Sequence, residues 1–318
     1  MSKLDISVVV PLYNEEESLP ELAEWIERVM KANGFSFEVI MVDDGSTDDS
    51  WSVVEELASK YSFVRGISFL RNYGKSAALY SGFDAAQGDV VITMDADLQD
   101  SPNEIPELYR MIVEEKYDLV SGWKQKRYDP IGKRLPSKFF NATARLVSGI
   151  KLNDFNCGLK AYRRRVIKSI EVYGEMHRYI PVLAKQAGFK RIGEKVVEHQ
   201  ARKYGVTKFG WERFIHGFLD LLSVVFVSKF GKKPMHFFGT LGIITFLVGG
   251  ILSGFMIGEK IYHLANHMKV REVTDQPLFY ISLTLVIIGV QLFLTGFLGE
   301  LVSRSSSERN SYQIDKRL

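Results

Sequence analysis

The fold class that the sequence predicts is α/β: a mostly parallel sheet flanked by helices, followed by an interfacial amphipathic helix and two transmembrane helices. Three observations carry this expectation. Short β-branched runs alternate with helical patterns through the first half of the chain, two long stretches near the C-terminus carry no charge, and one apolar run ends in the acidic sequence ITMDADLQDSP.

The run ISVVVPL precedes a helical pattern over 18–31, FEVIMV one over 47–59, VRGISFL one over 75–86, and DVVITM one over 101–115. Such alternation implies right-handed βαβ crossovers, because a right-twisted strand feeding a helix packs back onto its sheet only with that hand. Helices then cover both faces, and ligands belong at the carboxyl ends of the strands. The opening MSKLDISVVVPLYNEEE places three glutamates directly after a short apolar core, so it reads as a first strand and not as a signal peptide.

The stretches 234–258 and 277–299 are uncharged. As helices rising roughly 1.5 Å per residue, both can cross a hydrocarbon core of about 30 Å. Lys229, Lys232 and Lys233 precede the first; Arg304, Arg309, Lys316 and Arg317 follow the second. The loop between them balances Lys260, Lys269 and Arg271 against Glu259, Glu272 and Asp275. The positive-inside rule then puts both ends in the cytoplasm of an integral protein of the cell (inner) membrane. Two buried helices of a soluble core are the alternative, which the lengths disfavour. Upstream, Trp211, Phe214, Ile215, Phe218, Leu222 and Val225 recur at helical spacing opposite Glu212, Arg213, His216 and Asp220. A helix lying along the lipid bilayer fits this moment, and a core helix fits the same spacing. The expected organisation is a catalytic domain over 1–208, an interfacial helix over 209–232, a hairpin over 233–300 and a tail over 301–318. Paired anchors of a homo-oligomer could pack through Gly-rich faces such as Gly249, Gly250 and Gly254.

A net charge of +3 supplies no global basic field, so nucleic acid is not expected as a partner. The single Cys157 excludes an intrachain disulfide and lacks zinc-site partners. Asp95 and Asp97 at a strand terminus have three candidate jobs: holding a hard cation, acting as an acid and base couple, or capping the next helix. Ser101 and Glu104 in SPNE have the capping-box form with Pro102 at the first helical position, so the cap does not need the two aspartates. Mg²⁺ or Mn²⁺ takes one or two carboxylates and completes its octahedron with water and substrate phosphates, so the pair looks like half a site whose other half is a diphosphate. Gln99 could add an oxygen or contact the donor. Near the other strand ends, Tyr13 offers a face for a base and Asp44 an acceptor for base or ribose. Asn14 or Ser46 could equally cap helices, and Gly45 could serve only a turn. Arg71, Asn72, Gly74 and Lys75 form a polar turn that either approaches the nucleotide or is simply solvated. Lys124, Lys126, Arg127, Lys133, Arg134 and Lys138 crowd a segment whose only acid is Asp129, fit for gripping phosphate or for a solvated face.

Together VVVPLYNEEESL, VDDGSTDDS, RNYGKSAAL, MDADLQDSP, DFNCGLKAYRR and RKYGVTKFGWER, with the paired apolar helices, resemble the membrane-anchored family 2 glycosyltransferases over about residues 5–300. Within them the chain is similar to the polyprenyl-phosphate glycosyltransferases, which include bactoprenol glucosyltransferases and dolichol-phosphate mannose synthases. The resemblance implies a GT-A fold, a Mg²⁺ or Mn²⁺ cofactor, and inversion at the anomeric carbon. It implies a nucleotide-diphosphate sugar donor and a polyprenyl phosphate acceptor. On that pattern Asp95, Asp97 and Gln99 hold the metal and donor, with Asp97 also counted as catalytic. Pro11, Tyr13, Glu15 and Asp44 surround the nucleoside, with Lys75 nearby. Asp154 matches the position of a catalytic base, and Arg202 and Lys208 match a basic element near the diphosphate, where Val206-Thr207 replaces a small residue and Ser. Arg127, Arg134 and Ser137 are the expected acceptor-phosphate contacts. A lipid phosphate is already largely ionised near neutral pH, so Asp154 has more to position than to deprotonate. UDP-glucose is the first donor choice, with GDP-mannose and a modified UDP-pentose open. A processive polysaccharide synthase lacks support because no Q-x-x-R-W element occurs, and a non-catalytic nucleotide-sugar-binding membrane protein is the reading from another class.

Overall fold

The computed structural model describes residues 4–125, 141–142, 144–145, 148–174, 176–200, 203–204, 234–268 and 272–305. Arg127, Arg134, Ser137, Arg202, Lys208 and the interfacial helix expected over 209–232 lie outside them. The chain divides into two compact units, Met1–Val225 and Phe226–Leu318.

The first unit is built on a seven-stranded sheet of order β3-β2-β1-β4-β6-β5-β7. Its strands are β1 (Ile6–Leu12), β2 (Phe37–Asp43), β3 (Val64–Ser68), β4 (Val90–Thr93), β5 (Leu119–Trp123), β6 (Lys160–Arg163) and β7 (Ile192–Val196). All neighbours are parallel except β6, which runs antiparallel to both β4 and β5. Because successive side chains alternate faces, Ile6, Val8, Val10 and Leu12 join one core with α1 (Leu19–Ala32), α2 (Ser50–Lys60) and α4 (Ile105–Val113). Val9, Ile40 and Val42 join the other, with α3 (Lys75–Ala85), α5 (Arg164–Ile167) and α6 (Ile180–Gln186). A strand covered on both faces needs no polar side, which is why β1 is apolar but for Ser7, whose buried hydroxyl donates to Glu38 at 2.6 Å.

From β1 the chain moves one way to β2 and β3, then returns to place β4 on the other side of β1. This reversal opens a crevice at the carboxyl ends of β1 and β4. Pairing of β1 with β4 stops at Val9 and Thr93. The Val9 carbonyl accepts from Met94 and the Leu12 carbonyl from Asp44. Backbone groups alternate sides, so the Pro11 nitrogen lies on the β4 side beyond the last pair, where its missing N–H leaves no ladder position empty.

One local expectation changes. Ser101 makes no side-chain cap, and the carboxylate of Glu104 instead pairs with Lys195 and accepts the Glu198 N–H at 3.0 Å. Long-range pairing to β7 has overridden the local capping box. Arg163 and Lys160 on β6, and Glu194 and Lys195 on β7, interrupt the apolar pattern that made β1 to β4 readable.

The second unit contains α7 (Pro234–Ala265) and α8 (Pro277–Ser305). Their apolar spans, Pro234–Ala265 and Pro277–Val302, have mean hydropathies of 2.1 and 2.2 and are long enough to cross a membrane. The two pack through small residues, and Ser253 Oγ donates to Ser282 Oγ at 3.0 Å between them. A Cβ on Gly249 would lie 2.7 Å from the Ser282 carbonyl, so Gly249 belongs to this internal contact, while Gly250 and Gly254 face open space.

Candidate active site

The loops after β1, β2 and β3 lock into one another. Asn14 turns the chain at a φ of 57°, a conformation its short amide tolerates. Its Oδ1 accepts the Thr47 N–H at 2.8 Å, its Nδ2 donates to Thr47 Oγ1 at 3.2 Å, and its N–H donates to Ser46 Oγ at 2.9 Å. Ser46 Oγ donates in turn to Asp43 Oδ1 at 2.5 Å. The Glu15 N–H donates to Ser50 Oγ at 2.9 Å, and the Asp49 N–H to Glu16 Oε2 at 2.8 Å. Asn14 and Ser46 thus tie loops together and cap no helix. Asp44 accepts the N–H groups of Tyr73 at 2.7 Å and Gly74 at 2.9 Å, so its carboxylate holds the third loop. Burial raises its pKa above the ordinary carboxylate value, against the pull of those two donors. Gly45 needs its lack of a side chain: its φ is +69°, and a Cβ would lie 2.4 Å from the Arg71 carbonyl carbon. Arg71 stacks over Tyr73, 4.1 Å from the ring centre. Tyr13 and Glu15 lie on the first of these loops.

Across the crevice the chemistry is ionic. Pro11, Lys75, Asp95, Gly158, Lys160 and His177 line one small cavity. Lys75, the first residue of α3, forms an ion pair with Asp95. A Cβ on Gly158 would lie 2.5 Å from the Asp95 carboxyl, so the glycine of DFNCG is the surface against which Asp95 rests. Thr93 Oγ1 donates to the Gly158 carbonyl at 2.7 Å and fixes that surface to β4. Burial works to raise the Asp95 pKa, but the ammonium groups of Lys75, Lys124 and Lys160 override it and hold the carboxyl at about 2. Lys160 is buried, has its pKa lowered chiefly by that burial, and donates to the Cys157 carbonyl. Lys124, counted in sequence among the cations of the acceptor segment, instead pairs with the fully buried Asp100 at 2.7 Å. Burial and Asp100 push the Cys157 thiol up to about 12, so it stays protonated and is no nucleophile. Burial, with Lys75, Arg178 and Lys160 nearby, pushes His177 well below its ordinary pKa and keeps its ring neutral. The His177 backbone N–H donates to Ser76 Oγ at 3.0 Å.

Asp97 and Gln99 flank Leu98, whose φ of 59° is strained for a bulky residue. The turn is closed by the Gln99 N–H, which donates to Asp97 Oδ1 at 3.2 Å, and Gln99 Nε2 faces the Gln200 carbonyl at 3.5 Å. Asp154 is 1% exposed, and its Oδ1 accepts the Asn156 N–H at 3.0 Å. The N–H groups of Asn153 and Asp154 both donate to Glu194 Oε1, at 2.7 and 3.0 Å. A buried carboxylate closing a turn suits positioning better than proton removal. The structure therefore gathers Pro11, Lys75 and Asp95 in one cavity, with Asp97 and Gln99 on the adjoining turn. Tyr13, Glu15 and Asp44 belong to the neighbouring loop net. Gly158, Lys160, Ser76 and His177 went unassigned in the sequence. Ser76 left a signal there inside RNYGKSAAL, and Gly158 and Lys160 inside DFNCGLKAYRR, whereas His177 left none.

These residues fit a hard divalent cation. No cluster of three or more His, Cys, Asp or Glu side chains suited to a metal occurs among the described residues, and Asp95 and Asp97 are the pair of carboxylates at the end of β4. Mg²⁺ and Mn²⁺ are bound in that manner when phosphates supply the remaining oxygens. Lys75 already stands on Asp95 as a cation would.

The family model described as glycosyl transferase family 2 matches residues 7–171. The dodecaprenyl-phosphate galacturonate synthase of Rhizobium johnstonii is 35% identical over 308 residues, covering 96% of this chain and 89% of its own. The undecaprenyl-phosphate 4-deoxy-4-formamido-L-arabinose transferase of Shewanella sediminis is 35% identical over 306 residues, covering 95% and 88%. Among solved structures, glucosyl-3-phosphoglycerate synthase from Mycobacterium tuberculosis, in complex with Mn²⁺ and UDP-glucose, has the same fold with a TM-score of 0.54 at 22% identity, covering 71% of this chain and 79% of its own. A crevice at the β1/β4 reversal, an aspartate pair on its rim and paired apolar helices thus coincide with relatedness along almost the whole sequence, and the chain belongs to glycosyltransferase family 2, within its polyprenyl-phosphate glycosyltransferase group.

Proposed function

We propose that the protein transfers glucose from UDP-glucose to a polyprenyl phosphate, undecaprenyl phosphate in the first instance, with inversion, at the cytoplasmic face of the cell (inner) membrane. A phosphate oxygen of the acceptor attacks the anomeric carbon as the bond from that carbon to the diphosphate oxygen breaks, and the electron pair leaves with UDP. The position of Asp95 in the cavity after β4, with Asp97 two residues on, supports this reading. A bound Mg²⁺ or Mn²⁺ would neutralise the charge gathering on the departing diphosphate. Asp97 would be held for this by the Gln99 turn, and Asp95 by Gly158 and Lys75. Pro11, Tyr13, Glu15 and Asp44 take the nucleoside side. From the resemblance alone, Arg202 and Lys208 are assigned to the diphosphate, and Arg127, Arg134 and Ser137 to the acceptor phosphate. Asp154 positions the acceptor. Lys229, Lys232, Lys233 and the cations after α8 support the cytoplasmic side for the catalytic unit.

A second donor class, a hexuronate, draws on one observation. Lys75, Lys160 and Arg178 line the cavity against the single acid Asp95, a surplus of positive charge that a sugar carboxylate would match. One relative is itself named for galacturonate. Membranes containing the protein, given polyprenyl phosphate and labelled UDP-glucose, UDP-galacturonate, a UDP-pentose or GDP-mannose, decide among these. Label should enter the organic phase from UDP-glucose. Entry only from UDP-galacturonate moves the assignment to the hexuronate, and label that stays water-soluble with every donor ends the transferase reading.

A further inference from the structure

Of the three ammonium groups that act on Asp95, two are committed elsewhere. Lys160 donates to the Cys157 carbonyl from a buried position, and Lys124 pairs with buried Asp100 at 2.7 Å. Lys75 takes Asp95 itself as its ion-pair partner, and its side chain retains 34% exposure. The residues on either side of Lys75 are tied: the Gly74 N–H donates to Asp44 at 2.9 Å, and the Ser76 side chain accepts the His177 N–H at 3.0 Å. The four-carbon stem of Lys75 can therefore swing while its Cα stays in place. Its ammonium sits on the carboxylate that a divalent cation would need, and two cations cannot share that contact without strong repulsion.

We propose that Lys75 is an exchangeable counterion for Asp95. In the donor-free protein it neutralises the carboxylate and keeps free divalent metal out. When metal arrives with a nucleotide diphosphate, the phosphate charge draws the ammonium away and Asp95 turns to the metal, so the two ligands bind as one unit. This rests on the metal-assisted reading given above and adds an order of events to it.

The test measures Mn²⁺ binding to the full chain in detergent by the electron paramagnetic resonance signal of the free ion, with and without UDP. The parent protein should bind Mn²⁺ weakly alone and at least about tenfold more tightly with UDP. Lys75→Met should bind Mn²⁺ without UDP at least about tenfold more tightly than the parent, since a neighbouring positive charge has gone, and should gain correspondingly less from UDP. Lys75→Arg, which keeps the charge, should behave like the parent. If Lys75→Met binds free Mn²⁺ no better than the parent, or if Lys75→Arg matches Lys75→Met, the counterion role is wrong although the metal site stands. If the parent fails to bind Mn²⁺ even with UDP, the metal-assisted reading falls and this inference with it.

Discussion

In the loops after β1, β2 and β3, the polar groups answer one another with hydrogen bonds. Asn14 is bonded to Thr47, Ser46 to Asp43, and Asp44 to the N–H groups of Tyr73 and Gly74. Across the same crevice, Asp95 is answered by a lysine side chain and rests on a glycine. Both halves hold carboxylates at strand ends, yet Asp44 is tied to fixed backbone whereas Asp95 is tied to a side chain. A backbone N–H cannot leave, whereas an ammonium on a flexible stem can. The first half is thus a frame for a ligand, and the second is a place where charge can be rearranged during a reaction.

Neutralising the reactive half should have the largest effect. Asp95→Asn and Asp97→Asn should each lower sugar transfer into the organic phase by about a thousandfold or more, the scale expected when several kcal/mol of charge stabilisation is lost. Tyr13→Phe in the framing half should cost less than about tenfold, since it removes a hydroxyl and keeps the stacking face. Transfer by Asp95→Asn within tenfold of the parent would erase the distinction between the halves.

The two close-packed glycines sharpen it further. In Gly158→Ala the new methyl meets the Asp95 carboxyl, which can move aside; turnover should fall about a hundredfold, as expected for a displacement of about 1 Å, with little change in the unfolding midpoint. In Gly45→Ala the methyl meets the Arg71 backbone at 2.4 Å from a residue at φ +69°, and neither can yield cheaply. That variant should lose about 1–3 kcal/mol of stability in denaturant unfolding. Equal stability losses in both variants would mean that Asp95 is as rigidly held as the loop net.

Legibility in the sequence follows the same division. β1, β2 and β4 could be read because their runs are largely apolar, which reflects burial on both faces, β3 at the sheet edge through its alternation with helices, and the two long helices because each carries a long uncharged stretch. β5, β6 and β7 went unread; in β6 and β7 Lys160, Arg163, Glu194 and Lys195 break the pattern, and the last three are answered by partners distant in sequence. The aspartate pair announced itself through its place after β4. Its companions did not: Lys75 is separated from Asp95 by 20 positions and Gly158 lies on the turn before β6, so only the folded sheet brings them together. The capping box at Ser101 misled for a related reason, since Glu104 found a lysine 91 positions away.

The smallest expected effect is a difference in the acid response of two aspartates, measured by unfolding the chelator-treated protein across pH. The folded pKa of Asp95 is depressed to about 2, below its unfolded value of about 3.9. Its ionised form therefore stabilises the fold above the unfolded pKa, and that contribution fades as pH falls from about 4 through about 2. The folded pKa of Asp44 is raised, so folding favours its protonated form. Its contribution is fully present below the unfolded pKa and is lost as pH rises through the folded value. Relative to the parent, Asp95→Asn should gain ground as the solution is made acid, whereas Asp44→Asn should lose it. Since Asp44 also accepts two N–H bonds, Asp44→Asn carries a separate, pH-independent cost that shifts its curve without changing the sign of its slope. Parallel slopes for the two variants would show that lysine and backbone partners treat a carboxylate alike, and that the crevice has one kind of rim.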